Sequence, residues 1–209
     1  MATCSVMQHI VFLRKLLKRA MHTGSITRNP FFGFVPDQPV SKHKWLSGEE
    51  IEKIMTTHID KPSVDLVRDM FVFGVFTGLS YSDIKNLRKE QILSDSKGNQ
   101  WISIKRQKTN TESIVPLLDI PKEIIRKYDG TGEGGKVFKM LCMNVVCRYT
   151  KQIGTLCKLA NKLTFHMSRH SFGTTVCLSQ GVPIDTLSQM MGHRNIKTTQ
   201  IYAEITGAK

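Results

Sequence analysis

The sequence predicts an α+β protein: a mainly helical unit built around one small antiparallel three-stranded sheet, preceded by a single helix of a separate helical unit. Three observations carry this. Apolar residues recur at three- and four-residue steps through most of the 209 positions. One stretch, "QILSDSKGNQWISIKRQKTNTESIVPL", instead has short runs of β-formers broken by turn residues. The proline-rich "NPFFGFVPDQPV" interrupts the pattern and marks a connector. The units are expected at 1–39 and 40–209.

In the first unit, Ile10, Leu13, Leu17 and Ala20 give residues 4–22 a helical period, and Gly24 ends it. Arg14 with Lys18, and Lys15 with Arg19, form a basic stripe at i,i+4 spacing. An amphipathic helix of this length does not fold alone, so it is expected to belong to a larger helical assembly. The second unit starts at "WLSGEEIEKIM", where Ser47 and Glu50 have capping-box spacing. The apolar helix "SVDLVRDMFVFGVF" runs to a break at Thr77-Gly78, and "SYSDIKNL" starts the next with a Ser-x-x-Asp cap, Ser80 to Asp83. The sheet follows as "QIL", "QWISIKRQ" and "ESIVPL", a meander with the turn "KTNT". After "TGEGG", expected to be a mobile loop, helices are predicted over "NVVCRYTKQIGTLCKLA", "TFHMSRHSFGTTVCLSQ" to Gly181, "PIDTLSQMM" to Gly192, and "TTQIYAEI".

Charge narrows the function. Thirty Lys and Arg against 17 Asp and Glu give +13. From Lys136 onward ten Lys and Arg face only Asp185 and Glu204, so that stretch alone carries +8. Such asymmetry favours a polyanion, and nucleic acid is the commonest one. No run of eighteen apolar residues occurs, and Arg14, Lys15, Lys18 and Arg19 break the N-terminal apolar pattern, so neither a membrane span nor a signal core is expected. Five cysteines without a regular spacing suggest neither a disulfide framework nor a cysteine zinc site, which fits a reducing cytoplasm.

The densest chemistry lies in "FHMSRH". His166 and His170 stand four apart, the spacing of many helical zinc sites, but Met167 occupies the place of the glutamate base and Arg169 would put a positive charge beside the metal. A metal-dependent hydrolase is therefore the weaker reading, and His170 is equally a hydrogen-bonded core histidine. His166 and Arg169, three apart, can instead aim an imidazole and a guanidinium at one phosphate from the first turn of a helix. Downstream, His193 follows a glycine-ended helix and Tyr202 comes nine residues later. A phenol among such groups can form a covalent phosphotyrosine, although alone it reads equally as a boundary aromatic.

"TFHMSRHSFGTTV", "LSQMMGHRNIKTTQIYAEI" and "FTGLSYSDIKNL" resemble, in order and spacing, the signature segments of the tyrosine recombinases, or phage-integrase family, and especially integrases of bacterial conjugative transposons and related mobile elements. The resemblance runs from about Ser41 to Ala208. It implies a site-specific DNA recombinase that cleaves and rejoins strands through a 3′-phosphotyrosine, with neither metal nor ATP as cofactor. Tyr202 matches the nucleophile, Arg169 the phosphate clamp, His166 the proton acceptor or second clamp, Lys108 the β-hairpin acid and His193 a further hydrogen-bond donor. The expected partners are double-stranded DNA, further copies forming a tetramer on it, and accessory DNA-bending proteins, in the cytoplasm with the nucleoid and without a membrane. Arg14, Lys15, Lys18, Arg19, Lys105 and Arg106 are expected DNA contacts. The first residues look like the last helix of the family's core-binding domain, and the chain like a fragment of a longer integrase.

One position departs from the pattern. The family usually has "TGLR", with a second clamping arginine, where this chain has "TGLS" and Ser80. Some conjugative-transposon integrases are similar in this respect. A cleavage-deficient DNA-binding relative is the alternative function. Arg68, the only arginine on the apolar helix, is the expected replacement cation, with pairing to Asp65 or Asp69 as the competing role. Ser80 is itself well placed to cap a helix.

Overall fold

Proline in the first turn and a run of large apolar side chains make Pro62–Thr77 (α3) the spine of the larger part of the molecule. The computed structural model describes residues 3–35, 44–107 and 109–206. The chain divides into two compact units, Met1–His43 and Lys44–Lys209.

Among its described residues the first unit holds one helix, Thr3–His22 (α1), followed by turns. Gly24 takes a φ of 72° and closes the helix end, as its position after the periodic run predicts. Arg14, Lys15, Lys18 and Arg19 are all exposed, and the Arg14 guanidinium donates to the carbonyl of Phe34.

In the second unit α3 is apolar around its circumference and is accordingly buried around it. Val64, Val67, Met70, Phe71, Phe73 and Val75 are all in the core. Around it pack Gly48–Thr56 (α2), Asp119–Lys127 (α5), Met143–Leu156 (α6) and His166–Ser171 (α7). The helix α2 carries the predicted capping box between Ser47 and Glu50. Gly78 ends α3 with φ 65°, a left-handed conformation in which a Cβ would also strike the Phe172 ring. The chain thus turns sharply into Tyr81–Asn86 (α4), where the Asp83 carboxylate accepts from the Ser80 amide at 3.1 Å and the Ser80 hydroxyl at 2.6 Å.

The sheet is the predicted meander, in the order β1-β2-β3: Ile92–Ser94, Gln100–Lys105 and Glu112–Pro116, antiparallel throughout. Ile102 pairs with Val115 and Lys105 with Glu112, so Ile102, Ile104 and Val115 face inward on alternate positions. The sheet's outer hairpin meets Ile184–Met190 (α8), and Lys197–Thr206 (α9) follows. A smaller core of Val115, Phe172, Leu187, Met191 and Tyr202 lies there.

Three elements differ from the sequence reading. The helix α5 went unread because Pro121 sits inside it, yet a proline in the first turn removes no helical hydrogen bond. The segment after α7 does not continue as α-helix but widens into a π-helix over Phe172–Cys177 and tightens into a 3₁₀ turn, Leu178–Gln180, before Gly181. The "TGEGG" loop is tied at its end, since Lys89 donates to the Gly135 carbonyl at 3.0 Å and Val137 to Leu87 at 2.9 Å.

Arg68 is the main correction. Its guanidinium is committed to its own neighbourhood: Nε donates to Asp69 at 2.6 Å, Nη2 to Asp65, and Nη1 to the carbonyls of Met55 at 3.2 Å and Thr57 at 3.0 Å. Lys127 completes the cluster with bonds to Asp65 at 2.7 Å and Asp69 at 2.6 Å, and the Tyr128 hydroxyl donates to Asp69 at 2.8 Å. α3 runs unbroken from Arg68 to Thr77, a rise of about 13 Å that carries the chain away from Arg68 before it turns at Gly78. Arg68 therefore braces α3 against α2 and does not serve the Ser80 position. Arg68→Ala is predicted to lower unfolding free energy by roughly 3 kcal/mol, because it strips two partly buried carboxylates of a partner. Urea denaturation checks this.

Candidate active site

The last turn of α8 gathers the site. The carbonyls at a helix C-terminus lack intrahelical partners and carry partial negative charge. Here side chains from two directions satisfy them. From the hairpin, Ser113 donates to the Met190 carbonyl, Arg106 Nη1 to Met191 at 2.8 Å, and Thr111 to Gly192 at 2.6 Å. From α7, Arg169 Nη2 reaches the same Met191 carbonyl at 2.7 Å, while its Nη1 donates to Gly78 at 2.5 Å. Gly192 makes this possible, since a Cβ there would lie 2.8 Å from the Arg106 stem, and its φ of 58° also favours glycine.

Two guanidinium groups thus share one carbonyl. Asp83 supplies the compensating charge, 2.9 Å from Arg106 Nη2 with both side chains almost fully buried. Burial first, and then the neighbouring Arg106 charge, bring the Arg169 pKa down to about 10, leaving it charged at neutral pH. Arg106 is also lowered by burial, against the opposing pull of Asp83. Its Nε is buried without a hydrogen-bond partner. Ser80, Asp83 and Arg106 therefore form a relay: the chain has a serine where the family pattern has an arginine, and Asp83, the residue that caps α4 at that serine, holds Arg106.

His193 comes next. Arg169 Nη2 lies 2.9 Å from its Nε2, and its Nδ1 lies 2.8 Å from the Thr199 hydroxyl. A guanidinium only donates, so Nε2 accepts and the ring proton sits on Nδ1. Burial, then Arg169 and Arg106, push the His193 pKa down to about 4. Tyr202 is 5% exposed, and its ring lies parallel to that of His193, 6.4 Å between centroids and 7° between planes. Burial raises the phenol pKa, while Arg169 and Arg106 oppose the rise. The His170 ring is also close to it, 5.5 Å between centroids, and in turn meets His166 edge-on at 4.6 Å. Gly173, in the π-helical segment, backs the Tyr202 ring so closely that a Cβ would lie 3.1 Å from it.

The structure thus brings Arg169, His193 and Tyr202 of the sequence-predicted set into one cluster, with His166 linked through His170. Ser80, His166 and Arg169 also line a cavity of about 290 Å³ with Leu79, Thr164 and Ser168. Lys108 lies outside the described residues. Of the two expected DNA contacts on the hairpin, Lys105 is exposed at the end of β2 and Arg106 is buried. The sequence reading named Arg106 only as a DNA contact, not beside Arg169, and it did not single out Asp83 and Thr199 as site residues or the position of His170. The i,i+4 spacing of His166 and His170 was the one available signal for the last. Among the described residues no group of three His, Cys, Asp or Glu side chains stands together as a metal site, and no helix is long and apolar enough to cross a membrane.

Comparison with known proteins agrees with the resemblance in the motifs. The tyrosine recombinase XerA of Thermococcus onnurineus is 28% identical over 181 residues, covering 82% of this chain and 61% of the relative. The tyrosine recombinase XerD of Listeria innocua is 26% identical over 223 residues, covering 97% of this chain and 72% of the relative. The chain spans only about three fifths of the archaeal relative's length. Among solved structures, a lambda integrase (75–356) dimer bound to a COC′ core site superposes with a TM-score of 0.75 at 18% identity, covering 94% of this chain and 72% of that one. The Tn1549 transposon integrase in complex with a circular intermediate DNA gives 0.72 at 16% identity, covering 97% and 75%. At such identities these two establish the shared fold alone. The sequence model of the phage integrase family matches residues 44–208, the whole of the second compact unit up to its last residue, and so the chain belongs to the phage integrase family.

Proposed function

We propose that this chain is the catalytic portion of a site-specific DNA recombinase of a mobile element, and that it cleaves DNA with Tyr202. The observation that carries the reading is the placement of the Tyr202 phenol beside His193 and the buried Arg169 and Arg106 pair, a preorganised cationic site for a phosphodiester. In the first step Tyr202 Oη attacks phosphorus, the P–Oη bond forms and the P–O5′ bond breaks. The phenolic proton passes toward the His170 and His166 pair. The leaving 5′-oxygen takes a proton from Lys108, a role that rests on the family resemblance. Attack by a 5′-hydroxyl of another strand reverses the sequence and reseals the DNA. Arg169 and Arg106 neutralise the charge that grows on the non-bridging oxygens, Arg106 standing in for the arginine that Ser80 replaces. No step in this scheme calls for a metal ion or ATP. Tyr202 is seated in the site of its own chain, which favours cleavage in cis.

The partner is double-stranded DNA, gripped by Lys105 and by Arg14, Lys15, Lys18 and Arg19 of α1, which we assign with residues 1–39 to a core-binding domain. Lambda integrase has been solved as a tetramer bound to a Holliday junction. We assign this chain the same working assembly, together with accessory DNA-bending proteins, at the nucleoid. A cleavage-deficient DNA-binding relative would not need a tyrosine held in this position.

A nicked duplex carrying the element's core site tests the reading by trapping a covalent protein–DNA band. Tyr202→Phe is predicted to abolish that band with DNA binding nearly unchanged, since affinity comes mainly from phosphate contacts, and the wild-type band is predicted to survive excess chelator. An adduct persisting in Tyr202→Phe would assign the attack elsewhere.

Arg106→Ala is predicted to slow adduct formation by roughly 10² to 10³, the scale of losing one oxyanion-hole donor, with Arg106→Lys intermediate. Arg68→Ala, measured per folded molecule, is predicted to cleave at the wild-type rate. Equal activity of Arg106→Ala and wild type would remove Arg106 from the clamp.

His193 also makes a pH prediction. Its folded pKa of about 4 lies below the ordinary 6.5, so between those values the unfolded chain binds a proton that the folded chain refuses. Its contribution to stability is complete above pH 6.5 and falls away as the pH drops toward 4. The unfolding temperature of wild type is therefore expected to fall more steeply over that window than that of His193→Asn, measured by thermal denaturation in matched buffers.

A further inference from the structure

One hydrogen bond joins the clamp to the helix that carries the nucleophile. Thr199 is fully buried on α9, three residues before Tyr202, with its hydroxyl 2.8 Å from His193 Nδ1. In the free site Arg169 donates to Nε2, so His193 keeps its proton on Nδ1 and the Thr199 hydroxyl accepts it. In that tautomer Nε2 has no hydrogen to offer a phosphate oxygen. A phosphodiester arriving beside Arg169 draws the guanidinium toward its own oxygens, and His193 can help hold it only by donating from Nε2.

A second ring proton is a poor way to supply that donor. The charged groups that face His193 are Arg169 and Arg106, both cations, while Asp83 is spent on Arg106 and the Tyr202 ring lies alongside. Exchange between neutral tautomers carries no such cost. It requires a partner at Nδ1 that accepts in one state and donates in the other, and a hydroxyl does both.

We propose that Thr199 is a positioning residue: its hydroxyl lets His193 change from the Nδ1–H tautomer of the free site to the Nε2–H tautomer that grips a phosphodiester. This rests on the strand-transfer reading above. The proton balance is simple. The half-buried ring releases its Nδ1 proton to water and takes one at Nε2 from water, its charge stays the same, and the Thr199 hydroxyl turns from acceptor to donor. Because Thr199 stands on α9, the exchange is supported only while the helix bearing Tyr202 is seated. Nucleophile and phosphate grip are then assembled together, and a site whose α9 has left loses both.

The test uses the 209-residue chain with ¹⁵N-labelled histidine rings and orthovanadate as the tetrahedral oxyanion. The His193 ring is expected to be protonated at Nδ1 in the free protein and to move to Nε2 with saturating vanadate. Thr199→Ser should keep both behaviours, and Thr199→Val should lose the vanadate response. Adduct formation on the nicked duplex should be near normal in Thr199→Ser and slower by roughly 10- to 100-fold in Thr199→Val, the scale of a misplaced catalytic group. An Nε2-protonated ring in the free wild-type protein, no vanadate response in wild type, or an unaltered response in Thr199→Val would each overturn the proposal. The ring measurement needs no cleavage, so these outcomes are distinct from failure of the strand-transfer reading, which would appear as no adduct in the wild-type chain.

Discussion

Two buried guanidinium groups donating to one carbonyl, that of Met191, set the terms for everything around them. Like charges do not stay together in a protein interior unless something negative holds them there, and two sources do so here. The C-terminal end of α8 offers unpartnered carbonyls at the negative end of its dipole, and Asp83 adds a full charge from α4. Each source demands its own geometry. The hairpin must lie across the end of α8, Gly192 must have no side chain, and α3 must break at Gly78 so that α4 can present Asp83 and the Gly78 carbonyl can receive Arg169. This pairing of buried like charges is also the feature on which the proposed phosphate site rests.

The residues that announce the chemistry were legible because their order along the chain carries it. Arg169 and His166 share a helical turn, and Tyr202 follows His193 at a distance that a turn and a short helix can close. Arg106 was not legible in this way. In "SIKRQKTN" it stands between Lys105 and Lys108 with nothing local to set it apart, and only the docking of that hairpin on α8 buries it. Thr199 was hidden by the ambiguity of "TTQIY", where only the second of two adjacent threonines is buried. The sheet, the Ser47 and Ser80 caps and the glycine-ended helices followed from local rules. The π-helical segment did not, because its departure from the α-helical period is too small to register over six residues.

Arg68 and Arg106 make an instructive pair. A charge on an apolar helix must find a partner, and that argument was correct for Arg68. The partners were simply the carboxylates one position and three positions away, with Lys127 of α5 closing the cluster. Moving outward from Ser80 through its own cap residue leads to Arg106, since Asp83 is both the cap and the counter-ion, and the proposed role of Arg106 rests on that connection.

The wide turn at Phe172–Cys177 has a consequence for the kinds of sequence change this unit can absorb. A π-helical turn is an α-helix that has accepted one more residue than its hydrogen bonding wants, and in this chain the slack falls where Gly173 meets the Tyr202 ring. Deleting one residue of the segment would let an ordinary helix re-form with the chain beyond it facing nearly the same way, because the wider turn spends its extra residue locally. What such a deletion removes is the widening that sets Gly173 against the Tyr202 ring. A one-codon loss here is therefore expected to leave the fold standing and to unseat the tyrosine.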